Sequence, residues 1–472
     1  MICLRSSQCP GAAFFLSCLL SSTGLSGQAR RLPDAPRPQT AAWALPREMA
    51  QAAQPAPPQQ PSSSQARPRL TLADAERIAI QHNPNITIAH LSQLAQGQVV
   101  REARSPNFPT AIADLTAVDS HPNSRITAGS LNNPIVFERA AGGVTVSQLI
   151  TDFGRTHNLV KSAQSDNRAE IENERATVED ITLAVDQAFY QVLAAQAVLK
   201  VAQQTVATRQ ATGEQIGALT QSKLRSTLDL SLANVQVEQA RLLELDGQNA
   251  LASSMANLNS ILGSETDTQY ELVDETPEAP QPAPSSAEVM VQLAFRSRPD
   301  LAALEDRFQA AKQFSSAEHD LMRPKISALA TSGGTPVRSD QILSSWYGAA
   351  GANMSIPLFN GFDYSARAKA ADLRASAAQE RVRDLRDTIA RDVRASTLNA
   401  QISFQRIATS QQLLDQANNA LDLAQARYKV GLSGIVDLTQ AQLAQTEAQI
   451  GLNDARYAYQ TALAVVRYQT GQ

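Results

Sequence analysis

Residues 426–449, ARYKVGLSGIVDLTQAQLAQTEAQ, decide the fold. They hold one tight turn between two helical patterns, and each pattern is longer than a globular domain needs. Upstream, residues 362–429 contain no proline, and Leu414, Ala417, Leu421, Ala424 and Tyr428 keep the three-and-four spacing of a coiled-coil seam. About 65 residues rising about 1.5 Å each make a rod on the order of 95 Å. Downstream, Ala441, Ala444, Ala448, Gly451, Ala455, Ala458, Ala462 and Val465 form a heptad stripe of small residues. Small residues let helices approach closely but bury little apolar area each. A helix over 434–470 therefore needs neighbours on more than one side. A packed cylinder and an antiparallel coiled-coil stalk both meet that need.

The same plan stands about 208 residues earlier. Leu228-Asp229-Leu230 matches Val436-Asp437-Leu438, and Leu262-Gly263 matches Thr470-Gly471. SQLITDF, residues 147–153, matches IPLFNGF, residues 356–362. Asn83-Pro84 matches Arg298-Pro299, and Pro109 matches Pro324. An internal duplication follows. The spacing predicts a first repeat over 70–274 and a second over 287–472, joined by the Pro-rich linker 275–286. Each repeat opens with two helices (71–82 and 84–105; 288–297 and 299–321). Two extended segments follow (109–118 and 142–151; 325–332 and 345–358), then a long helix (153–216; 362–429) and a returning one (226–262; 434–470).

The extended segments alternate with period two. Ala111, Ala113, Leu115 and Ala117 share one face, with Thr110, Asp114 and Thr116 on the other. Ala350, Ala352, Met354, Ile356 and Leu358 share a face behind Trp346 and Tyr347, aromatics that suit a membrane interface or an ordinary hairpin alike. Four strands of about ten residues are long enough to cross a bilayer with tilt. Four cannot close a barrel, and open edges in lipid are costly. If these strands span a membrane, several protomers share the barrel.

The N-terminus points to export. Arg5, the apolar run Ala12–Leu20 and the small residues that follow read as a signal peptide over 1–27, and all three cysteines (Cys3, Cys9, Cys18) lie within it. Phe15-Leu16-Ser17 before Cys18 lacks the small middle residue that lipidation favours. Residues 28–69, rich in Pro and Gln, read as a flexible leader. With 41 basic and 45 acidic residues, the chain has no nucleic-acid footprint. His82, His90, His121, His157 and His319 lack metal-ligand spacing, and no P-loop or nucleophile motif is present, so neither enzyme chemistry nor a cofactor is expected.

LTLADAERIAIQHNPNI (70–86), the paired SQLITDFGR and IPLFNGF, and the stretch 426–449 together resemble the TolC family of outer-membrane efflux proteins over roughly 70–472. The resemblance implies a mainly α protein with membrane β: a homotrimer in which each protomer gives four strands to one β-barrel and long helices to a periplasmic α-barrel. It implies an export duct in the outer-membrane lipid, fed by a periplasmic adaptor and an inner-membrane RND or ABC transporter, for efflux or type I secretion. A soluble periplasmic coiled-coil adaptor or tether stays as the alternative. By the same resemblance, Tyr428, Asp229 and Asp437 form a periplasmic gate, in which Tyr428 links to Asp229. Val430, Gly431, Leu432 and Ser433 form the adaptor-docking turn. Ser433, Gln440 and Lys223 depart from the family pattern. A tight turn accounts for Gly431 by itself, and a helix dipole favours an early aspartate without any gate.

Overall fold

Leu262-Gly263 and Thr470-Gly471 recur because each glycine lies against a helix–proline corner. Gly263 has φ +72°, and a Cβ there would stand 2.6 Å from the His82 carbonyl; Gly471 has φ +68° and would meet the Ser297 carbonyl carbon at 2.9 Å. In this computed structural model those corners are His82-Asn83-Pro84 and Ser297-Arg298-Pro299, so each repeat closes its end onto its own beginning. Residues 68–121, 124–125, 135–264, 268–275, 282, 286–338 and 344–472 are described, all within the unit Ala66–Gln472. The expected signal peptide, nearly all of the leader and most of the linker lie outside the described residues.

The first repeat runs β1 (Arg69–Leu70), α1 (Leu72–His82), α2 (Pro84–Arg104), β2 (Thr110–Val118), β3 (Arg139–Thr151), α3 (Arg155–Gln221), α4 (Thr227–Ile261) and β4 (Glu271–Leu272). The second runs α5 (Ala287–Ser297), α6 (Pro299–His319), β5 (Lys325–Arg338), β6 (Trp346–Ser355), α7 (Asp363–Lys429) and α8 (Ile435–Thr470). Paired helices match in length: 11 residues in α1 and α5, 21 in α2 and α6, and 67 in α3 and α7. Sixty-seven residues span about 100 Å.

Local chemistry sets the ends. The Thr71 hydroxyl caps α1 by accepting from the Asp74 amide at 3.2 Å, and Pro84 opens α2, where a missing amide costs nothing. At the strand-to-helix corners, Phe153 (φ 54°) and Phe362 (φ 68°) both take left-handed backbone, which a bulky side chain adopts only under tertiary constraint. The Asp152 carboxylate then holds α3's first turn through the Thr156 amide at 2.8 Å.

Strands β2-β3-β5-β6 form one antiparallel sheet, and its registers carry the two faces across all four strands. One face reads Ala111/Val146/Ala330/Ala350, with Ala113, Leu115, Val144, Ala328, Ala352 and Met354 alongside. The other reads Ile112/Thr145/Thr331/Ala349 and Asp114/Gly143/Gly333/Tyr347, and there the Thr110 and Ser147 hydroxyls meet at 2.7 Å. Tyr347 lies flat over that face: a Cβ on Gly333 would come within 2.4 Å of its hydroxyl. β5 continues to Arg338, six residues past the expected end at 332. Gly333-Gly334-Thr335-Pro336 reads as a turn in sequence. In the sheet, β5 bulges there instead: Thr335 and Pro336, the latter with no amide to donate, together stand opposite Ala141 between the pairs Ala140–Val337 and Gly142–Gly334.

Two buried clusters fix the repeats. Leu70, Ala79, Val185, Phe189, Val192 and Leu258 pack β1, α1, α3 and α4 together, and Val291, Leu301, Ile389 and Val393 do the same for α5, α6 and α7. The small-residue stripes differ between repeats. In α4, Ala233, Ala240, Gly247 and Ser254 are buried at every seventh position, and a Cβ on Gly247 would stand 3.3 Å from the Leu199 Cα. In α8 only Ala448 and Ala455 of the stripe are buried; Ala444 and Ala458 are exposed, and Gly451 faces open space.

Candidate gate and docking tip

At the end opposite the sheet, two helical turns stand side by side. Residues 222–226 join α3 to α4, and residues 430–434 join α7 to α8. Helix α3 runs to Gln221, five residues past the expected 216, so both turns are equally tight. Their hydrogen bonds are superposable. The Leu224 amide donates to the Leu219 carbonyl at 2.9 Å, and the Leu432 amide to the Arg427 carbonyl at 2.8 Å. This is the six-to-one bond of a helix C-cap, which requires one left-handed residue. Gly431 supplies it with φ 78°, and Lys223 supplies it with φ 59°. The lysine in place of glycine leaves the turn's shape intact and strains it locally.

The core of the tip is apolar: Ile216, Ala233, Tyr428, Ile435 and Leu438 bury one another and join the two hairpins. Tyr428 is 7 % exposed. The Arg225 guanidinium stacks 4.2 Å from the centre of its ring and donates to its carbonyl at 2.7 Å. The Tyr428 hydroxyl is buried without a hydrogen-bond partner, so no such bond reaches Asp229, the partner that the resemblance implied. Burial pushes the Tyr428 phenol above its ordinary range; the Arg225 charge opposes this and the Asp229 charge adds to it. Asp229 is half-buried in the first turn of α4, behind the Ser226 cap, and Asp437 is exposed in the first turn of α8. Ser433 is half-buried, and its hydroxyl also lacks a partner.

The outer surface of the tip is greasy. Val430, Leu432 and Val436 on one hairpin are 60–72 % exposed, as are Leu224 (70 %) and Leu228 (63 %) on the other. Isolated exposed leucines are common, but these five stand on the two turns and the first residues of the helices that follow them, an unusual density of exposed apolar side chains. The structure brings Tyr428 and Asp229 into one neighbourhood and leaves Asp437 on the solvent side. Sequence reasoning missed Arg225 and Leu224. The 208-residue offset already pointed to both, since it sets Arg225 against Ser433 and Leu224 against Leu432.

Among the described residues no group of histidine, cysteine, aspartate or glutamate side chains could hold a metal, and no helix is long and apolar enough to cross a membrane. The sheet remains, with one apolar face and one hydroxyl-bearing face. It leaves β2 and β6 each with an edge unpaired among the described residues.

Residues 77–264 and 290–472 match the family model described as outer membrane efflux protein. The outer membrane protein TolC of Salmonella enteritidis is 24 % identical over 428 residues, covering 85 % of this chain and 83 % of its own. A probable efflux pump outer membrane protein of Pseudomonas putida, TtgC, is 24 % identical, covering 81 % of this chain and 79 % of its own. The crystal structure of the outer membrane protein VceC from Vibrio cholerae superposes with a TM-score of 0.74 at 19 % identity, covering 85 % of this chain and 96 % of that one.

Proposed function

The chain belongs to the outer membrane efflux protein family, and from that premise we propose that it is the passive outer-membrane duct of a tripartite assembly. It is an outer-membrane efflux channel with a periplasmic helical extension, and the soluble adaptor or tether reading has no support. The finer reading is a homotrimer that receives substrate from an inner-membrane RND or ABC transporter through a periplasmic adaptor. The relatives are outer-membrane proteins by name, TtgC that of a probable efflux pump, which makes a catalytic role unnecessary.

The sheet is the observation that carries this reading. Its apolar face fits lipid and its hydroxyl-bearing face fits water, but four strands with two open edges cannot stand alone in a bilayer. Three copies give twelve strands, within the range that closes a barrel. The helices lead the same way. Leu242, Leu245, Leu398, Ile402, Leu413 and Leu423 are each more than half exposed in the single chain, and the α8 stripe is open at Gly451. A ring of copies would cover both.

At the tip, Tyr428, Asp229 and Asp437 form the entrance gate in this reading, and three copies of Asp437 place negative charge at the constriction, which favours cations. The turn Val430, Gly431, Leu432 and Ser433 docks the adaptor, joined by Leu224. The test uses a strain lacking its own channel, in which the double substitution Leu224→Asp and Leu432→Asp is compared with wild type. The expected result is normal assembly in the outer membrane with lost efflux. Full efflux by the double variant refutes docking at this tip.

A further inference from the structure

We infer that Arg225 is the latch of the entrance, holding the second tip hairpin against the first through the ring and carbonyl of Tyr428. This rests on the duct reading and replaces the Tyr428 hydroxyl as the point of closure. Three observations carry it. The guanidinium makes a two-point contact with one residue, stacking on its ring at 4.2 Å and donating to its carbonyl at 2.7 Å. Those two residues stand 203 positions apart and belong to different hairpins, so the contact is tertiary. The hydroxyl, by contrast, is buried and holds nothing.

The geometry suits arginine and no shorter donor. A planar guanidinium can face an aromatic ring and still direct an N–H at an adjacent carbonyl, whereas an ammonium offers a point charge. The acceptor matters as well. The Tyr428 carbonyl lies in the last turn of α7 and accepts from the Gly431 amide at 3.1 Å; as a helix C-terminal carbonyl it carries partial negative charge, and its second lone pair takes the guanidinium. Arg225 thus caps α7 from the neighbouring hairpin. Moving the α7–α8 tip outward breaks the stack and the cap together. The duplication has put this function on the first turn, since Ser433, the matching position of the second, has only a short hydroxyl without a partner.

The purified full-length channel, in planar bilayers and by amide hydrogen exchange, separates the possibilities. Arg225→Ala is expected to raise the open fraction roughly tenfold, the change that corresponds to about 1.4 kcal/mol. Arg225→Lys is expected to recover less than half of that closure, because it keeps the charge and loses the fork. Exchange at amides 430–438 should rise in Arg225→Ala while that of α1 stays unchanged. Wild-type current in Arg225→Ala, or full recovery of closure in Arg225→Lys, overturns the latch. If no form carries current, the duct reading falls, and exchange decides the latch: faster exchange in Arg225→Ala supports it, unchanged exchange overturns it.

Discussion

Leu115 and Thr116 are neighbours on β2, both exposed in the single chain, and they point to opposite faces of the sheet. Arginine at each position therefore tests which face meets lipid while holding strand and neighbourhood constant. β2 has nine residues, which at about 3.3 Å each span about 30 Å. A tilt of about 40° reduces this to about 23 Å of height, close to the apolar band of about 25 Å in membrane barrels. Both positions lie within a few ångström of mid-strand, so both sit deep in that band. Leu115 is 91 % exposed and lies over Gly142 on the apolar face. Arginine facing lipid at that depth costs about 2–4 kcal/mol. Three copies in one barrel bring the cost to about 6–12 kcal/mol, comparable to the whole stability of an ordinary domain. Thr116→Arg faces the hydroxyl-bearing side and should cost less than about 1 kcal/mol, since water there solvates the charge. The assay is the amount of folded protein in the outer membrane, together with the urea midpoint of the protein refolded into vesicles. Leu115→Arg should lose most of the assembled protein and Thr116→Arg little. Equal losses, or a larger loss for Thr116→Arg, refute the assignment of faces.

Asp186 of α3 gives a pH dependence. Burial, then the neighbouring Glu76, push its carboxyl up to about 7, against the opposing charge of Arg467. Glu179 and Tyr468 line the same cavity, and Tyr190 lies close by. A carboxyl raised in the folded state contributes stability at low pH that is lost as pH rises through about 7. Melting temperature should therefore fall from pH 5 to pH 8 in wild type, with a flatter profile in Asp186→Asn; identical slopes contradict the assignment. At the tip, Lys223→Gly should stabilise by about 1 kcal/mol and Gly431→Ala should destabilise by a similar amount, since both positions need left-handed backbone. Urea midpoints of the two variants measure this, and shifts of the same sign refute it.

The long helices were legible because proline is absent and the seam is periodic. The duplication was legible because structurally demanding residues recur, as with Gly263 and Gly471 at their crowded corners. Strand β5 reads short because Gly-Gly-Thr-Pro signals a turn locally, while in the sheet Thr335-Pro336 is absorbed as a bulge opposite Ala141, a pairing that only the partner strand defines. The α8 stripe is legible as close-packing surface, yet within one chain only two of its eight residues, Ala448 and Ala455, are buried. Arg225 was missed for a related reason: its partner stands 203 residues away, and no local pattern joins them. Tyr428 was singled out for its hydroxyl, whereas the structure engages its ring and its carbonyl.

The shared outer-membrane duct is tested most directly by the mass and shape of the protein extracted from membranes, measured by size exclusion with light scattering and by negative-stain imaging. A shared barrel predicts three copies per particle in a hollow rod, with detergent bound as a belt at one end. A monomer or dimer recovered from the periplasm without detergent would contradict it.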